Sequence, residues 1–201
     1  MKSGDRAVLR ELGKEIRDIA ADPVNGERKL LWKRLNNKER VRPLVFIFEL
    51  PWHEMERGDE LLLRCEDPFF QWVEEVVRRT IYQWRHFQGD MVVEGYIGSP
   101  LAIHDTGTGL SEDVDVVKTD ERSTVVSRHF NIQIKTEEDI EKIRMPVVTH
   151  DEEETEKTFL LLSEIFDGIL PVKKLGFKWT SVAPWDELVR LTGVNEVLTD
   201  M

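Results

Sequence analysis

Apolar residues recur at helical spacing from the start of the chain. Val8, Leu9, Leu12, Ile16 and Ile19 fall on one side of residues 5–21, which predicts an amphipathic helix. After a break at 22-DPVNG-26, a second helix is expected over 27–37, with Leu30, Leu31, Trp32 and Leu35 apolar. The stretch 43-PLVFIFEL-50 is different: an unbroken apolar run of strand length, rich in β-branched and aromatic residues. That pattern suits a parallel strand buried on both faces, ended by Pro51. A proline in the first turn, followed by Phe69, Trp72, Val73, Val76, Thr80 and Trp84, predicts a helix over 68–87.

Residues 91-MVVEGYI-97 read as a second strand, and glycines with polar residues make 98–113 a long loop. The alternation in 123-STVVSRHFNIQIK-135 predicts an extended strand or hairpin arm outside the main sheet. Thr136 and Asp139 are spaced as a capping box opening a short helix over 137–143. A helix over 152–167 carries Phe159, Leu160, Leu162, Ile165 and Phe166, with Gly168 where a C-cap belongs. The third strand is 170-LPVKKLGF-177, and a helix follows over 185–192. This order predicts an α/β chain with three parallel strands joined by crossovers. Residues 1–42 form an N-terminal helical segment and 43–201 the α/β part. The close, 194-VNEVLTDM-201, reads as the start of another helix, so the chain is expected to be the first part of a longer protein.

Charge and cysteine usage narrow the classes. A net charge of −11 over 201 residues argues against nucleic-acid binding, and the basic stretch 28-RKLLWKRLNNKERVR-42 reads as a solvated helix face. One cysteine, Cys65, excludes an internal disulfide and fits a reducing cytoplasm. No segment has the apolar length of a membrane span or of a signal peptide.

Gly176-Phe177, Ala183-Pro184-Trp185, Leu188 and Gly193 resemble a signature of the uroporphyrinogen decarboxylase-like superfamily. The stretch 28-RKLLWKRLNNKERVRPLV-45 is similar to the start of its corrinoid and coenzyme M methyltransferase branch. The resemblance implies that this chain supplies the first half of a TIM (β/α)8 barrel. Its active site would lie at the C-terminal strand ends. True decarboxylases follow the first strand with arginines that hold substrate carboxylates; here that position reads 46-FIFELPWHEM-55, with no arginine before Arg57. A substrate carrying eight carboxylates would meet Glu49 and Glu54, each uncompensated like charge costing on the order of one to several kcal/mol. Methyl transfer from a methyl-corrinoid, or from a corrinoid protein, to a thiol or pterin is therefore expected ahead of uroporphyrinogen decarboxylation. Relatives of the methyltransferase branch use zinc to activate the acceptor thiol. Their ligands lie in the half not present, so no cofactor is expected to be held by this chain alone.

The strand ends supply the candidates. Glu49 and Glu94 interrupt apolar runs and read either as acid/base groups at the barrel mouth or as carboxylates satisfied by an arginine or amide. His53 can transfer protons, completing the catalytic set Glu49, His53 and Glu94. Trp52, Glu54, Tyr96, His104, Trp179, Trp185 and Asp186 are the expected substrate-binding residues, with the tryptophans either walling a pocket for a planar ligand or packing under loops. His86 closes a helix, where its charge favours the dipole, and is read as structural. Cys65 is read as a buried thiol, with zinc ligation as the alternative. A third reading makes the chain a non-catalytic half-barrel that pairs with itself or with a separate C-terminal half.

Overall fold

The computed structural model describes residues 3–55, 58–118, 126–176 and 183–199. The chain divides into two compact units: Met1–Pro100 with Thr155–Leu175, and Leu101–Glu154 with Gly176–Met201.

The first unit is built on helices. α1 (Ser3–Ala20) buries Leu9 and Ile16 against α3 (Pro68–His86), whose inner face carries Phe70, Val73, Val77, Ile81 and Trp84. Asp67 caps α3 by accepting the Phe69 amide at 2.9 Å, with Pro68 in the first turn where no amide bond is lost. α2 (Pro23–Asn36) repeats the device with Asp22 and Pro23. Buried Asn25 ties α2 inward, donating to Ile19 O and accepting the Val93 amide, each at 2.8 Å.

From α4 (Glu152–Phe166), the residues Leu162, Ile165 and Phe166 are wholly buried in this unit, each contributing about 1.5–3 kcal/mol of transfer free energy. Gly13 lets the Phe166 ring pass so close that a Cβ there would lie 2.8 Å from it. Arg10 closes the helix end, donating to Ile165 O at 2.6 Å and Asp167 O at 3.1 Å. Gly168, at φ 72°, makes the left-handed turn.

Two strands of this unit pair in parallel: β1 (Ile97–Pro100) and β6 (Val172–Leu175), with Ile97 opposite Val172 and Pro100 opposite Leu175. Their C-terminal ends therefore lie side by side. In the second unit, β2 (Ala102–Asp105) pairs antiparallel with β5 (Val148–Asp151), and β3 (Val114–Val117) with β4 (Ser127–Phe130). A 3-10 turn at Glu137–Lys142 opens on the Thr136–Asp139 capping box. α5 (Pro184–Thr192) and α6 (Val194–Thr199) complete this unit.

The chain is thus mixed α/β with one parallel strand pair, and the described strands form three separate pairs that close no barrel. The expectation of three parallel strands is corrected at 43–50, which makes no ladder. Its backbone bonds go to a side chain and a loop instead: Val45 N to Asp90 Oδ2 at 2.8 Å, Asp90 N to Val45 O at 2.7 Å, and Gln83 Nε2 to Ile47 O. The second strand is also displaced. Met91 and Val93 are buried, but the Met91 carbonyl and the Val93 amide are taken by Arg28 and Asn25, so pairing starts only at Ile97. The predicted loop 98–113 accordingly contains the end of β1 and all of β2. The arm over 123–135 is an antiparallel hairpin strand at Ser127–Phe130, and residues 119–125 lie outside the described set. Among the described residues no helix is long and apolar enough to cross a membrane.

Candidate functional site

Pro51 ends the apolar run and starts a 3-10 turn at Trp52–Glu54, closed by the Glu54 amide on Pro51 O at 2.8 Å. The turn lays Trp52 edge-on against Tyr82 of α3, with centroids 6.2 Å apart, and the Arg79 guanidinium sits 5.0 Å over the indole. Tyr82 in turn meets the imidazole of His86 at 4.4 Å and the ring of Phe87 at 6.2 Å. His53 is nearly buried, with Nε2 3.6 Å from the exposed Glu54 carboxylate.

One carboxylate anchors the far end of this aromatic row. Glu60 lies 2.8 Å from His86 Nε2 and also binds Arg85, which reaches Glu15 of α1 at 2.5 Å. The His86 contact first, then Arg85, holds the Glu60 carboxyl below the usual range. An imidazole oriented by a carboxylate beside a tyrosine can hold or pass a proton. Sequence reasoning placed His86 at a helix end and missed Glu60, Arg79 and Tyr82. The available signal was spacing: Arg79, Tyr82 and His86 recur at three and four residues, on one helix face.

The other candidates of the first unit are distributed around this row. Glu49 is exposed. Glu94 is also exposed, and Lys29 Nζ binds it at 2.8 Å, which corresponds to the satisfied-carboxylate alternative with lysine in place of arginine. Tyr96 is half-buried under Lys173 Nζ, 4.2 Å from its ring centroid.

In the second unit, His104 is exposed on β2 opposite Thr149, Trp185 is 46% exposed, and Asp186 is exposed in the first turn of α5. Trp179 lies outside the described residues. This unit also contains an open cavity of about 700 Å³, floored by Ile132, Ile134 and Ile140 and rimmed by Thr192, Asn195 and Thr199. Its wall is braced by Asp139, which accepts the amides of Lys135 and Thr136 at 2.8 and 3.0 Å. Lys142 first, with those amides, holds the Asp139 carboxyl far below its ordinary range.

The remaining buried ionisable groups of the first unit serve the fold. Glu74, with zero exposure, accepts the Arg64 amide at 2.9 Å, the Cys65 amide at 2.8 Å and Arg78 Nε at 2.7 Å. Burial acts to raise its pKa, but these bonds outweigh it and leave the carboxyl below its usual value. Burial, then the neighbouring Glu74, push the Cys65 thiol up to about 12. A thiol held protonated is a poor metal ligand, and among the described residues no group of three His, Cys, Asp or Glu is placed to hold a metal. Compared with known proteins, the chain matches no family model, no curated protein and no solved structure.

Proposed function

We propose that this chain contributes the first strands of a uroporphyrinogen decarboxylase-like barrel enzyme. In this reading it transfers a methyl group from a methyl-corrinoid to a thiol or pterin, in the cytoplasm. The observation that carries it is the parallel register of β1 and β6, which sets Pro100 beside Leu175. Both strands thus end at one edge, the side on which α/β folds gather ligands. The family-like residue Gly176 follows directly from that edge in sequence, and Ala183-Pro184-Trp185 come later in the same connection.

A methyl-corrinoid is a broad, planar substrate, and half-buried rings of the first unit such as Trp52 and Tyr96 suit stacking on it. The donor's carbon–cobalt bond breaks with its electron pair left on the corrinoid, the methyl group passes to the acceptor sulfur or nitrogen as the acceptor loses its proton, and His53 and Glu49 are the bases that this chain offers. The acidic stretch 49–54 disfavours a polycarboxylate porphyrinogen, which places decarboxylation second.

The test is incubation with methylcobalamin and either a small thiol or a tetrahydropterin, following the methylcobalamin absorption spectrum. Loss of that spectrum with methylated acceptor formed is expected; an unchanged spectrum with both acceptors overturns the proposal. Conversion of uroporphyrinogen would instead select the decarboxylase. An assembly role is the second reading, favoured by the apolar segment 43–50, where Val45, Phe46 and Phe48 remain 54, 54 and 67% exposed.

A further inference from the structure

The segment 43–50 combines three features rarely left together on a surface. Its sequence is β-prone and apolar, and its rings are largely exposed. Its backbone is secured at Val45, by Asp90, and at Ile47, by Gln83. Among the described residues, the amides of Leu44, Phe46, Ile47 and Glu49 make no hydrogen bond within the chain. Unanswered amides beside exposed β-forming side chains are a template for strand addition.

Charge selects what is added. Lys38 and Arg40 precede the run, and Glu49 and Glu54 follow it, all four exposed, while Arg42 is taken by Asp90 and Glu39 by Arg34. Two copies aligned in the same direction would set cations against cations. Two copies running oppositely about a twofold axis near Phe46 and Ile47 bring each basic flank to the other's acidic flank. We propose that residues 43–50 form a homotypic interface, to which a second copy of this chain adds an antiparallel strand. This rests on the assembly reading and is independent of methyl transfer.

Sedimentation or light scattering of the whole chain over a wide concentration range reads the assembly, and a cysteine scan reads the interface. Phe46→Cys lies near the axis, whereas Leu62→Cys is a control of similar exposure, 57%, in the same unit. The native Cys65 is buried and does not contribute. A dimer is expected, with Phe46→Cys joining two copies by a disulfide under mild oxidation and Leu62→Cys remaining single. Phe48→Asp, at an exposed position that leaves the fold intact by far-UV circular dichroism, should weaken the dimer at least about tenfold. A dimer that cross-links equally through both cysteines, or ignores Phe48→Asp, overturns this interface while leaving assembly standing. A monomer at every concentration overturns both.

Discussion

Glu74→Gln probes the first unit most sharply, because it preserves shape and removes charge. The wild-type carboxylate accepts two amides and one guanidinium with no exposure to water. Glutamine keeps one acceptor oxygen but turns an NH2 toward donors, leaving at least one buried amide or Arg78 unanswered. Breaking a buried ion pair from one side costs about 3–5 kcal/mol, and bonds to charged groups contribute about 1.5–3 kcal/mol each. Since one oxygen is retained, a loss of about 3 kcal/mol is expected. For a unit of about 120 residues unfolding with about 2.1 cal/mol/K per residue, that is a Tm lower by about 12 °C. Glu75→Gln is the control, since its pairing with Arg79 is solvent-exposed on both sides and should cost under about 1 kcal/mol. Urea unfolding at pH 7, followed by tryptophan fluorescence and circular dichroism, measures both. The folded Glu74 pKa is depressed, so its stabilisation is complete above the ordinary carboxylate range and lost as pH falls through the folded value. The gap between wild type and Glu74→Gln should therefore narrow in acid. Equal stabilities for Glu74→Gln and Glu75→Gln, or a gap that does not change with pH, would refute the reasoning.

Other outcomes follow from single contacts. Asp90, held down to about 2 by Arg42 and then the Val45 amide, stabilises above its unfolded pKa and loses that effect as pH falls from about 4 to 2. Asp90→Asn should cost about 1–2 kcal/mol and speed hydrogen exchange at the Val45 amide; unchanged exchange would contradict the clamp. Gly13→Ala should destabilise by about 1–3 kcal/mol because its Cβ meets the buried Phe166 ring, whereas Gly4→Ala, with nothing within 4 Å, should not destabilise. Cys65 should react with a disulfide reagent at least about a hundredfold more slowly in the folded than the unfolded chain; comparable rates would show an accessible thiolate.

Helices were legible where periodicity and caps agreed. For α3, Asp67, Pro68 and the apolar periodicity determine start and length within the segment itself, but the buried face is Phe70, Val73, Val77, Ile81 and Trp84, turned from the stripe read through Trp72 and Val76, which stay 44 and 48% exposed. Residues 43–50 misled because composition reports a liking for strands and nothing about whether a ladder partner exists. The buried polar residues were invisible for a related reason. Asn25, Asp90 and Glu74 look like ordinary surface residues, and their partners Val93, Arg42 and Arg64 are set by the tertiary fold. The same limit hid Glu60, whose role depends on Arg85 and His86 arriving at the end of another element.

The arrangement of the candidate edge depends on β1 and β6 running in the same direction, and a pair of cysteines reads that directly. With Pro100 opposite Leu175 and Ile97 opposite Val172, Pro100→Cys with Leu175→Cys brings Cα atoms within disulfide range. The account predicts that this double variant closes an intramolecular disulfide on mild oxidation, while Ile97→Cys with Leu175→Cys does not. Closure of the second pair and not the first would mean antiparallel strands, and would contradict the account.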